Sequence, residues 1–379
     1  MLAGLRRAGL TLLVFLLLAA PAQAFIPNDP GIVGRPGGWQ LDQWNFLPQA
    51  GVDAPRAWDN LIAAGRPGGL GVTVAVLDTG LAFENHGRYR KSPDISRYRI
   101  AAPYSFCPHE GRGNNPCAGR SRHPDDDNGH GTHVASTIAE ATSNRIGETG
   151  LAYGATLMPV QVLNRFGIGS EESISEGIRY AARHGAQVIN LSFEFGKDIT
   201  SADEIPDIGR AVRYARRKGV LIVGAAGNTA AAHVDYPAAL PGVVSVGGVT
   251  DDDCLASYSN TGDGLDLVAP GGGDDAGLDQ PNCDTDPRHH GQKVVQMAFS
   301  RYNTAFHPIG FKGTSMAAPH VAATAALIIA SGVLGRHPTP AAIERRLKAT
   351  ARDLGPRGRD TLYGAGLVDA GAATAPPAR

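Results

Sequence analysis

Small and aliphatic residues fill positions 316–330 almost without interruption, directly after Gly313, Thr314 and Ser315. A helix that is apolar on all sides cannot lie on a surface, so this pattern predicts a buried central helix that begins at Ser315. The first turn of a helix leaves backbone N–H groups unpaired, and its dipole favours negative charge there. Ser315 can therefore be read as a helix cap or as a reactive hydroxyl.

Runs of β-branched and aliphatic residues recur between polar, glycine-rich segments, as is typical of strands buried on both faces. They predict strands at 72–77, 157–163, 187–193, 220–224, 243–249 and 265–268. Helical periodicity falls between them at 173–183 and 208–217, and an earlier helix is predicted from Ala54 to Gly65. This alternation indicates an α/β fold with a mostly parallel central sheet and helices on both faces. Residues 25–50 are rich in Gly and Pro and are predicted to run over the surface.

Composition narrows the class of protein. The chain has 379 residues, 42% of them hydrophobic and 19% charged, with a formal net charge of -1. That balance allows a large core and gives no reason to expect a nucleic acid partner or an anionic membrane surface. We find no internal repeat and no linker, so the mature chain is predicted to form one domain and to act as a monomer.

The N-terminus has the pattern of a secretory signal peptide. Arg6 and Arg7 precede an apolar run at 10–20, and Ala22 and Ala24 form a small-x-small cleavage site. The run is too short to cross a bilayer. We therefore predict a signal peptide at 1–24, a mature chain at 25–379, no membrane association after cleavage, and a secreted or periplasmic location.

Four cysteines remain in the exported chain, and an even number in an oxidising compartment favours two disulfides. Three connectivities are possible. Pairing of neighbours, Cys107 with Cys117 and Cys254 with Cys283, is preferred because each pair closes a loop rich in Gly, Pro or Asp. A zinc site is a weaker interpretation, since no C-x-x-C spacing occurs.

Three polar residues stand where predicted elements begin or end. Asp78 directly follows the first buried strand, His130 lies between two glycines at the start of an apolar helix, and Asn228 follows the strand at 220–224. In a parallel sheet, functional groups gather beyond the carboxyl ends of the strands. Each residue alone can be explained as a turn or a cap, and His133 is read as structural.

Taken together, the segments HGTHVAS (130–136), AAGN (225–228) and GTSMAAPHVA (313–322), in the order Asp, His, Ser, resemble the subtilisin-like serine proteases, the subtilase family. The resemblance extends from about residue 43 to about residue 370 and implies a three-layer subtilisin-like catalytic domain. It also implies a serine endopeptidase that works through an acyl-enzyme. Ser315 would be the nucleophile and His130 the general base. Asp78 would orient the imidazole, and Asn228 would donate to the oxyanion.

The resemblance also implies where substrate binds. The walls of the primary pocket would be formed by Ser192, Phe193 and Glu194 on one side and by Ala225, Ala226 and Gly227 on the other. Glu194 departs from the family pattern, in which glycine is usual. Asp126 and Asp127 lie just before the catalytic histidine, and one hypothesis is that they favour basic substrate residues; the other is that they face water.

No cofactor is implied for the chemistry, but a structural calcium ion is a possible inheritance. Its ligands would come from Gln43, Thr142, Asn144, Ile146 and Glu148, with Asp94 as the tentative aspartate. No space for a folding-assisting prodomain is evident between Ala24 and Gln43. The stretch from 272 to 312 is long, as expected for a disulfide-pinned insertion near the active site.

Three rival interpretations remain. An aspartic protease would need a second D-[TS]-G sequence besides Asp78-Thr-Gly80, and none occurs. An α/β-hydrolase would need the second glycine of G-x-S-x-G after Ser315. A catalytically inactive binding protein on the same fold is the third, and it is disfavoured because no catalytic group is missing.

Overall fold

A computed structural model describes residues 24–107, 119–196, 199–283, 290–300 and 305–376. The strands are β1 (Thr73–Asp78), β2 (Tyr104–Ser105), β3 (Thr156–Gln161), β4 (Val188–Leu191), β5 (Leu221–Ala225), β6 (Val243–Val249), β7 (Leu267–Pro270), β8 (Val294–Ala298) and β9 (His307–Phe311). The helices are α1 (Trp39–Asp42), α2 (Ala54–Ala63), α3 (His130–Ala139), α4 (Glu171–Arg183), α5 (Pro206–Arg217), α6 (Thr314–Ser331), α7 (Pro340–Ala349) and α8 (Ala370–Thr374).

Within these ranges, seven strands form one parallel sheet in the order β2-β3-β1-β4-β5-β6-β7. Alternate residues of each strand face opposite layers. In β1, Val74 and Val76 pack in the core shared with α3 and α6, whereas Ala75 and Leu77 pack in the core shared with α4 and α5. The prediction of a three-layer α/β fold is confirmed. The remaining pair, β8 and β9, forms an antiparallel hairpin.

Helix α6 is the buried central helix that its composition predicts. It packs against β4, β5, β6 and β7 on one side and against α2, α3, α7 and α8 on the other. Among the described residues it is the helix long and apolar enough to cross a membrane, but most of it lies inside the protein. Its apolar character is therefore explained by burial in the core.

The N-terminal segment differs from its prediction. Trp39, Trp44 and Phe46 are buried instead of lying on the surface. Trp39 and Phe46 pack edge-on against Trp58 of α2, with ring centroids 5.5 Å and 6.3 Å from it. The glycines and prolines there turn the chain, but burial of the aromatic rings decides its position, because each removes a large apolar area from water.

The disulfide between Cys254 and Cys283 is present, with Cα atoms 5.0 Å apart, as predicted. Cys117 and residues 1–23 lie outside the described ranges. The disulfide between Cys107 and Cys117 and the signal peptide therefore stay predictions.

Candidate active site

Asp78 and His130 form a hydrogen-bonded pair at the carboxyl end of the sheet. Asp78 ends β1 and is fully buried, and its Oδ1 accepts hydrogen bonds from His130 Nδ1 at 2.8 Å and from Thr79 N at 2.7 Å. Gly129, just before α3, has φ +100°, and a side chain there would collide with the carbonyl of Phe299. The glycine therefore lets α3 begin in close contact with the backbone of Phe299. In this position the imidazole of His130 is hydrogen-bonded to Asp78.

Asp126 stabilises the start of α3 by hydrogen bonds to its backbone. It is fully buried; Oδ1 accepts from Gly129 N at 3.0 Å, and Oδ2 accepts from Thr132 N at 2.9 Å. Asp127 pairs with Arg88, with 2.6 Å between the charged atoms. Asp126 therefore neither faces water nor is placed to attract a basic substrate residue, because its oxygens accept hydrogen bonds from the backbone that carries His130. Asp127 already has a basic partner in Arg88, so neither carboxylate fits the hypothesis of a preference for basic substrate residues.

Ser315 lies in the first turn of α6, where Pro319 changes the hydrogen-bond pattern. Proline has no N–H, so the carbonyl of Ser315 lacks its usual partner four residues later. Ser192 Oγ fills this place and donates to Ser315 O at 2.8 Å. Ser192 follows β4, so the turn that presents Ser315 is tied directly to the sheet.

Asn228 is fixed by the same helix. Its Oδ1 accepts from Thr314 N at 2.8 Å and from Thr314 Oγ1 at 3.1 Å. With the oxygen committed to Thr314, the amide nitrogen is available on the opposite side as a donor. That nitrogen donates to Glu194 Oε2 at 2.9 Å.

His130, Asn228 and Ser315 line one cleft of about 280 Å³. The far side of the cleft comes from the β8–β9 hairpin and the residues after it, including Phe311 and Lys312. The long stretch at 272–312 therefore does reach the cleft, as predicted. The structure thus brings His130, Asn228 and Ser315 together in one cleft, and Asp78 is hydrogen-bonded to His130.

His133, one turn after His130, is structural, as predicted. Its Nε2 lies 3.0 Å from Val294 O and 3.2 Å from Ile309 O, and its ring stacks on Phe311. Burial lowers the pKa of His133 to about 3. It therefore stays neutral and holds the hairpin against α3.

The electrostatics of the cleft are dominated by carboxylates. Burial alone would lower the pKa of His130, but the charge and hydrogen bond of Asp78, together with the charges of Asp126 and Glu194, raise it above the ordinary 6.5. Burial, and then the negative charge of Asp235, raise the pKa of the Glu194 carboxyl. Glu194 thus contributes to the raised pKa of His130, and Asp235 contributes to the raised pKa of Glu194.

The two predicted pocket walls lie side by side. β4 and β5 are neighbouring parallel strands, with Leu191 opposite Gly224, so residues 192–194 and 225–227 leave the sheet at the same edge. Gly227 has φ +115°, and a side chain at this position would collide with Asp235 Oδ2 and Asn260 Nδ2. Only glycine therefore fits at this point of the wall, which lies directly against these two polar side chains.

A second cluster of carboxylates surrounds the loop at 142–148. Asp29, Asp94, Glu140 and Glu148 are all fully buried, and both carboxylate oxygens of Glu148 lack a hydrogen-bond partner. Asp94, the aspartate proposed from the sequence, accepts hydrogen bonds from Asn144 Nδ2 at 2.6 Å and from Glu148 N at 3.1 Å. Buried oxygens of this kind are the ligands that a hard cation such as Ca²⁺ prefers.

The other candidates for this loop are placed as follows. Gln43 pairs with the backbone of Thr149 through both ends of its amide, at 2.9 Å and 3.0 Å, which leaves its oxygen one further lone pair. Thr142 Oγ1 lies 2.6 Å from Thr149 Oγ1, and the exposed Ile146 donates its N–H to Asn144 Oδ1 at 2.7 Å.

A parallel α/β sheet that brings an Asp–His pair and a serine at the start of its central helix to one cleft is the arrangement expected of a serine hydrolase. The family model described as "Subtilase family" matches residues 69–366. The chain is 38% identical to Subtilisin Savinase of Lederbergia lenta over 81% of its own length and 91% of that protease. It is also 38% identical to the thermostable alkaline protease of Halalkalibacterium halodurans over 81% of its length and 68% of that protein.

Among solved structures, a protease from Pseudoalteromonas arctica matches with a TM-score of 0.72 and 32% identity, covering 92% of this chain and 99% of that one. The chain belongs to the subtilase family and is a subtilisin-like serine endopeptidase. Its chemistry needs no cofactor, and its substrates are proteins or peptides. The family prediction is confirmed, and nothing favours the inactive alternative.

Sequence reasoning missed several residues that position the site. Thr314 was read only as part of a motif, yet it fixes the orientation of Asn228. Asp235, which lies against Gly227, was not selected at all. The only signal for Asp235 in the sequence was its place directly before Tyr236 and Pro237. Its position beside Gly227 becomes evident only from the structure.

Proposed function

We propose that Ser315, His130, Asp78 and Asn228 are the catalytic residues. The observation that carries the proposal is the fixed imidazole of His130, with Nδ1 held by buried Asp78 and the rest of the ring on the cleft that Ser315 and Asn228 also line. A base must have its free nitrogen aimed at the proton it removes, and the contact with Asp78 imposes that tautomer.

The reaction follows from these positions. Ser315 Oγ attacks the scissile carbonyl and gives its proton to His130 Nε2, and Asp78 stabilises the imidazolium that forms. The tetrahedral oxyanion accepts hydrogen bonds from Asn228 Nδ2 and from the Ser315 backbone N–H. His130 then returns the proton to the leaving amine, and water hydrolyses the acyl-enzyme by the same steps.

Peptide substrate would lie between the two walls, Ser192, Phe193 and Glu194 on one side and Ala225, Ala226 and Gly227 on the other. Casein clearing, together with fluorophosphonate labelling mapped by mass spectrometry, tests the proposal. A casein-clearing protein labelled at a residue other than Ser315 would contradict the assignment of the nucleophile.

The raised pKa of His130 gives a pH prediction. The imidazole must be neutral to accept a proton, so activity is lost as pH falls through its pKa. We expect kcat/KM for an uncharged peptide substrate to have an acid midpoint above 6.5. Glu194→Gln removes one of the charges that raise this pKa, so its midpoint should lie lower; an unchanged or higher midpoint would contradict the electrostatic account.

The carboxylate cluster is proposed to hold a structural calcium ion through Asp94 and Glu148, with Asn144, Gln43 and carbonyls of the 142–148 loop as further oxygen donors. The unpartnered, fully buried oxygens of Glu148 carry this proposal. The ion would supply positive charge to a group of carboxylates that otherwise repel one another.

Chelation should then lower thermal stability. Calcium at a hundredfold excess over its Kd would add about 2.7 kcal/mol, and the unfolding entropy of about 350 residues is about 0.7 kcal/mol/K, so EDTA should lower Tm by about 3 to 4 °C. Glu148→Gln should remove the response to calcium, while the exposed control Glu172→Gln should keep it. A wild-type Tm that is the same in EDTA and in calcium would rule the ion out.

The mature chain is proposed to begin at Phe25, after removal of residues 1–24, to be secreted or periplasmic, and to act as a monomeric domain with its core at about 43–370. Phe25 supports this boundary, because its ring packs 6.0 Å from Trp58 and its N–H donates to Asp59 Oδ1 at 2.9 Å. N-terminal sequencing of the exported protein and its sedimentation coefficient test these statements.

A further inference from the structure

The inner end of the primary pocket, the space between residues 192–194 and 225–227, is closed by the segment at 235–236. Phe195 N donates to Tyr236 O at 2.8 Å, and Asp235 N donates to Ala226 O at 2.8 Å. One short segment is therefore tied to both walls.

Two carboxylates belong to this pocket, one on a wall and one on the closing segment. Glu194 Oε2 is 2.9 Å from Asn228 Nδ2, which places the carboxylate beside the proposed oxyanion donor. Asp235 Oδ2 lies against the α-carbon of Gly227 and accepts from Asn260 Nδ2 at 2.8 Å. Asp235 also borders a cavity of about 520 Å³ whose lining includes Thr229, the residue after Asn228.

Neither carboxylate pairs with a Lys or Arg in the part of the chain that the structure describes. Asp235 Oδ1 lies 3.3 Å from Nε2 of His233, a largely exposed ring that carries charge only when it is protonated. Burial, and then the charge of Asp235, raise the pKa of the Glu194 carboxyl, as expected for a buried carboxylate with a like charge nearby. Two partly buried like charges without a fixed cation are unfavourable, and a cation between them would be stabilised.

We propose that the primary pocket selects a Lys or Arg side chain, the residue on the acyl side of the scissile bond, with Glu194 and Asp235 as its charge partners. The proposal rests on the proposed function, because the pocket is defined by its position next to Asn228 and Ser315. It replaces Asp126 as the source of a preference for basic residues.

Peptide p-nitroanilides that differ only in this residue test the proposal: arginine, lysine, citrulline as the neutral isostere of arginine, and leucine. We expect kcat/KM for arginine to exceed that for citrulline by about 10- to 100-fold, since hydrogen bonds to charged groups have this effect. Asp235→Asn and Glu194→Gln should each reduce the ratio, and the double variant should bring it near one.

Asp127→Asn is the matched control, because it removes a carboxylate near His130 that pairs with Arg88. It should keep the arginine preference. An equal kcat/KM for arginine and citrulline in the wild type would overturn the proposal. So would an arginine-to-citrulline ratio that the double variant leaves unchanged, or one that Asp127→Asn lowers as much as the double variant does.

A second measurement needs no variant. Benzamidine, an aromatic cation, should inhibit the wild-type protein at least 10-fold more tightly than neutral benzamide; equal inhibition would count against the acidic pocket.

Fluorophosphonate labelling distinguishes failure of the proposed function from failure of the pocket proposal. If fluorophosphonate does not label Ser315, the catalytic assignment fails; if labelling and cleavage after leucine proceed without any preference for charge, only the pocket proposal fails.

Discussion

Ser315→Ala is expected to lower kcat by about 10⁶-fold, the scale found when the nucleophile of a catalytic triad is removed. The hydroxyl is the atom that bonds to the substrate, and no other described hydroxyl holds its position in the cleft. The backbone N–H of residue 315 and Asn228 remain, so a small rate above that of water should persist. The assay is hydrolysis of a peptide p-nitroanilide, with fluorophosphonate labelling of the same sample.

The fold should survive this change. Ser192 Oγ donates to the carbonyl of Ser315 and not to its hydroxyl, so the tie between α6 and the sheet is kept. Ser331→Ala, at the opposite end of α6, is the matched control and should retain full activity. Substantial proteolysis by pure Ser315→Ala protein would remove the assignment of the nucleophile.

Asp78→Asn is expected to lower kcat by about 10⁴-fold at neutral pH. Asp78 is fully buried, and its Oδ1 accepts hydrogen bonds from His130 Nδ1 and from Thr79 N. An amide nitrogen at that position would force His130 Nδ1 to accept, which moves the proton to Nε2 and removes the base. An amide oxygen there would keep the tautomer but lose the charge that stabilises the imidazolium.

The measurement is kcat for Asp78→Asn between pH 7 and pH 10, because part of the activity should return as hydroxide replaces the lost base. Asp127→Asn, a nearby carboxylate paired with Arg88, should behave like the wild type. If both variants kept wild-type kcat, Asp78 would have no role in proton transfer.

The strands and helices were largely readable from the sequence. The segment 243–249 was predicted as a strand and is one, because a fully buried parallel strand needs a continuous apolar run. Helix α5 was predicted at 208–217 and begins at Pro206. Strand β2 was missed because it consists of two residues, too few to show a period. The hairpin of β8 and β9 was hidden in a long stretch whose glycine and polar content resembled a loop.

The candidate site was only partly readable. Motifs identified Asp78, His130, Asn228 and Ser315 because each stands at the boundary of an element. Asp126 was misjudged, because its carboxylate caps the N–H groups of Gly129 and Thr132, a local pattern that the sequence analysis did not consider. Glu194 could be recognised as a departure from the family pattern, but its contact with Asn228 could not.

The sequence by itself determined the alternation of strands and helices, the apolar central helix and the family, because all of these depend on local periodicity and on short motifs. Only the tertiary structure decided that the oxygens of Glu148 are buried without a partner, that Glu194 contacts Asn228, and that Asp235 lies against Gly227. The reason is physical: the burial and pairing of a charge depend on residues that are distant along the chain, as when Asp235 accepts a hydrogen bond from Asn260 and lies against Gly227.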